Sequence, residues 1–520
     1  MVLAAGGIAV STPTGAVTVN VNNCTISNNS AGSAVAGTSA IGAGIMGNVT
    51  AATINVNNST ISGNTASTGL TGVGSNGGGI SSIGITNITN SMITGNTASV
   101  TVAGSTASAF SGGVHVTAGT TTITGTTISG NTSTASSGTG SGFAGGLYNQ
   151  QATVNISNST ISNNTASNFH AGIRTLSSTV VANTTITDST VSGNTAVGEG
   201  GGVINISGGA ANSTVNITGS TVSGNMATSP TSVGGGIENF STSTGLAAVN
   251  LLNSTVSGNS AFNGAGVFNT GAAATINLNF STVAANTATG TGGGLNQAAT
   301  GTTNLRNSVV GDNSAPAGPD ISGTITSQDY NHVENTSGGT FLAYSENRKD
   351  AKMVTTSFLL LPNDVTGIDP QIGPLGANGG TTLTHFPLIG SPLLNTIPNG
   401  TNDCGTTVTT AQNNTSRPQQ TACEKGSVER ALSAAAAHVS GRVLTANGQG
   451  ISKATIEISG GTLTNPVFVR TGTFGYYRYE GLNAGETYVV TIHSKRFQFA
   501  NPSRVVTLFD SVSDLDFIAE

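Results

Sequence analysis

Charge is what this sequence has least of. Of its 520 residues only 7 % are Asp, Glu, Lys or Arg, where ordinary soluble domains carry roughly a quarter. The formal net charge of −6 is too small for a chain held open by self-repulsion. No long Lys/Arg block occurs, so nucleic acid is not an expected partner. Tryptophan is absent and aromatics reach only 4 %. No run of about 18 apolar residues appears, so neither a transmembrane helix nor membrane insertion is expected. Zinc spacing and phosphate-cradling loops are also missing. Glycine fills 74 positions, but without the three-residue period of collagen. The hydrophobic 36 % is spread evenly, which suggests many thin layers rather than one thick core.

The scarcity of charge is local. From residue 1 to 310 the charged residues are Arg174, Asp188, Glu199, Glu238 and Arg306, with no lysine. So sharp a break marks a change of architecture.

An internal repeat fills that stretch. Its aliphatic anchors are Ile26, Ile61, Ile93, Ile128, Ile161, Val191, Val222, Val256, Val283 and Val310. Three residues after each stands asparagine: Asn29, Asn64, Asn96, Asn131, Asn164, Asn194, Asn225, Asn259, Asn286 and Asn313. Two before stands Ser or Thr, except for Cys24. A second element, Gly-aliphatic, alternates with it, from Gly7-Ile8 to Gly294-Leu295. The period runs from 26 to 37 residues. Short alternating runs such as Thr53-Ile54-Asn55-Val56 lie between, a strand signal. Three short strands per period and no helical pattern imply a β-solenoid, one coil per period, stacked at about 4.8 Å. The anchors would point inward. The glycines would allow tight corners or positive φ. The asparagines would form a ladder whose side chains donate to the next coil's carbonyl, and would tolerate a left-handed turn. The expected fold is all-β: a right-handed parallel β-helix of about ten or more coils, then a small prealbumin-like β-sandwich.

The alternating Gly-aliphatic and aliphatic-x-x-Asn elements resemble the repeats of polymorphic outer membrane proteins and of bacterial secreted right-handed parallel β-helix proteins. Here Ile or Val stands where Phe is usual in the former. The resemblance covers residues 1–335. Asp369-Pro370-Gln371-Ile372-Gly373-Pro374-Leu375, Asn378-Gly379-Gly380-Thr381, Gly390-Ser391-Pro392, Arg417-Pro418 and Cys423-Glu424-Lys425-Gly426 resemble a choice-of-anchor Q domain. It would form a C-terminal cap over 336–432. Val439–Glu520 resembles a carboxypeptidase regulatory-like β-sandwich, a non-catalytic module, with Ser433–Ala437 as linker. These resemblances imply a secreted or cell-surface protein.

The residues flanking the anchors should point outward as a flat, uncharged hydroxyl face: Thr60, Ser62, Thr127, Ser129, Thr160, Ser162, Thr190 and Ser192 among them. Such a face suits hydrogen bonding to glycans or to another cell or matrix surface, and makes an adhesin-like rod the leading reading. Polysaccharide lyase or glycoside hydrolase activity is the alternative. Its best constellation is His170 and Arg174 beside Asp188, although no acid–base cluster shows in the sequence. His115, Tyr148, Arg174, Glu238 and Phe268 share one outward column and could form a contact strip. Ice binding is a third reading, because of the Thr-x-Ser array, which Met92, Ala284 and Val309 interrupt. Asp364, Asp369 and Asp403 could contribute to a Ca²⁺ site, but their spacing fits turn and capping roles better. No cofactor is expected. Cys404 and Cys423 could pair, and Cys24 reads as a small core residue. Ala4-Ala5-Gly6-Gly7-Ile8 already matches a solenoid corner. The chain is therefore expected to start inside the solenoid, with its export signal and cap upstream, and to associate end to end through its exposed first coil.

Overall fold

Alternation of Ile/Val with Thr/Asn makes short strands, and the repeat stacks them in register. In the computed structural model, Ile80–Ser82, Ile85–Thr89, Met92–Thr94 and Thr97–Val100 make up most of one coil. Each pairs in parallel with its counterpart in the next, for example Ile80 with Val114 and Ile93 with Ile128. The described residues are 6–11, 15–33, 39–69, 74–102, 106–136, 140–298, 300–343, 361–430, 437–461, 463–483, 486–508 and 511–520. Ala4, Ala5 and most of the expected linker at 433–437 fall outside them. Long parallel sheets of 22, 12 and 9 strands run along the axis. The result is a right-handed parallel β-helix. Most coils have four or five short strands rather than three, because the residues after the ladder asparagine pair too, as Thr97–Val100 does with Thr132–Ala135.

The core is a set of aliphatic columns. Ile61, Ile93, Ile128, Ile161 and Val191 are fully buried, and each such side chain contributes roughly 1.5–3 kcal/mol on leaving water. The asparagine ladder beside them differs in detail from the expected one. Asn64 Nδ2 donates to Asn96 Oδ1 at 2.9 Å and to the Ile26 carbonyl of the preceding coil at 3.0 Å. The Asn64 backbone N–H also donates to Asn96 Oδ1, at 3.0 Å. The same pattern recurs to Asn313, which ends on Asp320 Oδ1 at 2.9 Å. Each amide thus donates both to its own kind and to a backbone carbonyl. The left-handed residue is the one before the ladder asparagine, such as Gly63, Gly95, Asn163 or Gly193. The Gly of the Gly-aliphatic pair has a different task from the expected one. A Cβ on Gly44 would sit 2.5 Å from the Gly79 carbonyl oxygen and 3.1 Å from the Asn64 amide. That glycine permits close approach between coils, not positive φ.

Two further ladders complete the interior. Ser59, Ser91, Thr126, Ser159 and Ser189 each accept a backbone N–H from the coil before. Cys24 begins this column, and its side chain is exposed rather than in the core. Asn205, Asn239, Asn269 and Gln297 stack as a second amide ladder at 2.8–2.9 Å.

Residues up to Glu429 form one compact unit and Arg430–Glu520 another. The segment from 361 to 429 belongs to the first. It packs along the side of the later coils. Thr221 Oγ1 donates to the Leu383 carbonyl at 2.6 Å, Thr255 Oγ1 to Gln412 Oε1 at 2.7 Å, and Ser257 Oγ contacts His385 Nε2 at 2.8 Å. Buried Arg417 holds this strap together. It pairs with Glu429 at 3.1 Å, donates to two backbone carbonyls and stacks on Phe280. Cys404 and Cys423 form a disulfide within it. The second unit is a small β-sandwich of antiparallel sheets. Ala437–Leu444 pairs with Tyr476–Leu482, and Thr455–Gly460 with Val467–Arg470 and Thr487–His493.

Asn164→Ala removes an acceptor for two Asn131 N–H groups and a donor to the Ile128 carbonyl, all buried. A loss of about 3 kcal/mol in denaturant unfolding is expected, against a few tenths for Asn163→Gly at the left-handed neighbour. At the ladder's end, burial pushes the Asp320 carboxyl up to about 6. The folded chain therefore favours the proton. Stability is full below the ordinary value of 3.8 and falls as pH rises through about 6. Asp320→Asn should flatten that slope in thermal melts across the window.

Candidate functional site

Two regions compete: the hydroxyl face, and a corner where the sparse charges of the solenoid gather.

The face follows from strand alternation. Thr60/Ser62, Thr127/Ser129, Thr160/Ser162 and Thr190/Ser192 lie in register on successive coils, beside inward Ile or Val. All eight are half-exposed. From Thr221 onward the same columns are buried, because the strap covers Thr221, Thr255, Ser257 and Thr282. The face is open over the earlier coils only. Met92 interrupts it as an exposed side chain.

The corner is built by two columns that face each other. One is the outward column after the Gly-aliphatic pair: His115, Tyr148, Arg174, Ile204, Glu238 and Phe268, aligned coil by coil. The other lies on the strand just before the corner: Phe110, Phe143 and Phe169. Between them the chain turns through a left-handed residue: Ser111, Ala144 and His170 (φ 65°) in three successive coils, then Gly200 and Gly234. The turn folds the phenylalanine column over the other, so the outward column is not a free strip. His115, Tyr148, Arg174 and Glu238 are all buried.

The rings stack along the axis. Phe110 and Phe143 lie 5.7 Å apart, His115 and Tyr148 5.1 Å, Phe143 and His170 6.1 Å. The Arg174 guanidinium sits 4.2 Å from the Phe143 ring centre and 4.7 Å from that of Tyr148. Ring faces partly replace the water this cation has lost. Glu238 reaches back past Ile204. Its Oε2 lies 3.9 Å from His170 Nε2. Donor atoms of His170, Glu199 and Glu238 all lie within 4.8 Å of one another.

Burial sets the protonation states. Desolvation holds His170 well below its ordinary value, helped by the Arg174 charge, so both disfavour the imidazolium. His115 falls to about 4, again mainly through burial. Desolvation and the neighbouring Glu199 push Glu238 well above the usual carboxylate range, against the pull of Arg174. Half-buried Glu199 is raised by desolvation.

The structure therefore brings His170 and Arg174 together but places Asp188 elsewhere. Asp188 takes the left-handed turn between Ala182–Thr187 and Thr190–Ser192, a corner position held by Asn158 in the coil before. Glu199 and Glu238 stand in its stead. The sequence carried a signal for the covering ring column: Phe110, Phe143 and Phe169 each lie four residues before a corner aliphatic, Val114, Leu147 and Ile173. The three aspartates of the capping segment are not brought together. Asp364 accepts from Ser327 and Asn331, Asp369 from the Gln371 N–H, and Asp403 pairs with Arg306 at 3.2 Å.

No family model matches this chain, and no curated protein matches it. One solved structure does, entitled "Crystal structure of pectate lyase Pel9A", at 13% identity and a TM-score of 0.33, over 74% of this chain and 88% of that one.

The raised Glu238 carboxyl gives a test. Its folded carboxyl favours the proton, so its contribution is complete at low pH and is lost as pH rises above the ordinary carboxylate range. Glu238→Gln should match the parent in acid-side melts and exceed it at alkaline pH. Arg174→Ala, which empties the space between two rings, should cost about 3 kcal/mol or more at either pH.

Proposed function

We propose that this chain is a non-catalytic, secreted or cell-surface rod that contacts glycans or another cell or matrix surface through the open part of its hydroxyl face. One observation carries the reading. Over the coils from Thr60 to Ser192 the face stays open and uncharged, with Thr and Ser in register on the successive strands from Thr127 to Ser192. A repeat of about 4.8 Å presents paired donors and acceptors. Each contact is weak, so useful affinity would come from many made together. The resemblances to surface β-helix repeats, to a choice-of-anchor Q segment and to a carboxypeptidase regulatory-like module support the same location.

The enzymatic alternative draws on His170, Arg174, Glu199 and Glu238. A glycosidase needs two carboxylates that touch the sugar. Glu238 is 3 % exposed and His170 5 %, which leaves a polymer little to reach. Ice binding needs a longer uninterrupted array than the open coils supply, since Met92 breaks it.

The test is the whole chain on a glycan array and on cells, with turnover assayed on plant and bacterial polysaccharides. Retention without turnover is expected. Thr127→Lys with Thr160→Lys, which adds charge and bulk to the face, should lower retention at least tenfold, while Glu238→Gln leaves it unchanged. Absence of binding to any glycan or cell would sink the adhesive reading. Turnover abolished by His170→Ala would replace it with the enzymatic one.

A further inference from the structure

The corner cluster is poorly satisfied for a site so deeply buried. Glu238 Oε2 is buried without a hydrogen-bond partner and lies 3.9 Å from His170 Nε2. Buried polar atoms rarely stay unpaired, because desolvation is costly. Here that oxygen converges with a ring nitrogen of His170 and a carboxylate oxygen of Glu199. These three residues come from three successive coils. The His170 N–H donates to the Glu199 carbonyl, and the Gly200 N–H to that of Val233.

We infer that His170, Glu199 and Glu238 form a three-ligand site for a divalent transition cation of the Zn²⁺ class, which staples three coils together at the corner. The donor set supports the choice. One imidazole and two carboxylates suit Zn²⁺. Ca²⁺ takes six to eight oxygens and has too few here. Bonds of about 2.0–2.2 Å would bring the ligand atoms roughly 3.4 Å apart. The observed 3.9 Å between His170 and Glu238, and the 4.8 Å limit for all three, need only a short inward shift. Half-buried Glu199 has room to make it. A fourth position on its side would take water. Two carboxylates balance the dication. The Arg174 charge nearby opposes it, which disfavours weakly held ions.

The experiment uses the full chain, tag-free and stripped with a chelator, titrated by calorimetry with Zn²⁺ and, separately, Ca²⁺. One Zn²⁺ per chain is expected. The melting midpoint should rise with Zn²⁺ concentration, because binding favours the folded state. Glu238→Gln and His170→Asn should each weaken Zn²⁺ at least tenfold, with the β circular-dichroism signal intact. Glu199→Gln, at a half-exposed side chain, tests the site should either buried variant fail to fold. No Zn²⁺ binding, binding unchanged in Glu199→Gln and Glu238→Gln, or binding of Ca²⁺ alone would each overturn the site.

Discussion

Everything in the solenoid depends on in-register stacking of parallel coils about 4.8 Å apart. At that spacing a residue's main neighbours are its own counterparts above and below. A buried amide must then be satisfied by another amide, which is why Asn64, Asn96 and Asn131 bond to one another rather than to a carbonyl alone. A corner glycine must stay bare because the next carbonyl lies where its Cβ would go, as Gly44 shows against Gly79. The repeat is the chemical consequence of the stacking: each column admits only what can pack on itself. Charge cannot, since like charges 4.8 Å apart repel. That is the physical reason for the sparse charge of the first 310 residues.

The columns were legible because the repeat spells them out. Anchors, asparagines and glycines align by counting, and with them the coil, the interior and the outward Thr-Ser face. Detail within a turn was not. Periodicity does not say which of Gly63 and Asn64 takes the left-handed conformation, and the structure gives it to Gly63. The Asn205–Gln297 ladder was hidden as well. Its members follow the corner at a fixed offset, but coil lengths vary and Asn is common throughout, so nothing marked them as inward. The strap was the least legible part. That 361–429 runs back along Thr221–Thr282 depends on side-chain pairs more than a hundred residues apart, such as Thr255 with Gln412.

The candidate site failed in an instructive way. Asp188 looked close to Arg174 because fourteen positions separate them, but coils place residues by column rather than by sequence distance. Arg174 is on the outward corner column and Asp188 on a different turn. Glu238, 64 positions from Arg174, is two coils away in the same column and reaches the same cluster. Column membership was the better predictor of proximity, and it already joined His115, Tyr148, Arg174 and Glu238.

The corner also shows how a charge-poor column accommodates its exceptions. Arg174 lies between aromatic faces, burial raises the Glu238 carboxyl well above its ordinary range, and His170 occupies a left-handed turn position held by Ala144 in the coil before and by Gly200 in the coil after. Each departure is compensated by one beside it, and all of them fall within a few adjacent coils. Asp188 and Arg306, the other charged residues of the coils, lie outside this corner, and within it Glu238 Oε2 is left buried without a hydrogen-bond partner. The open part of the hydroxyl face, by contrast, departs from the repeat only at Met92. Its uniformity fits a contact spread over length, while the corner fits a contact made at a point.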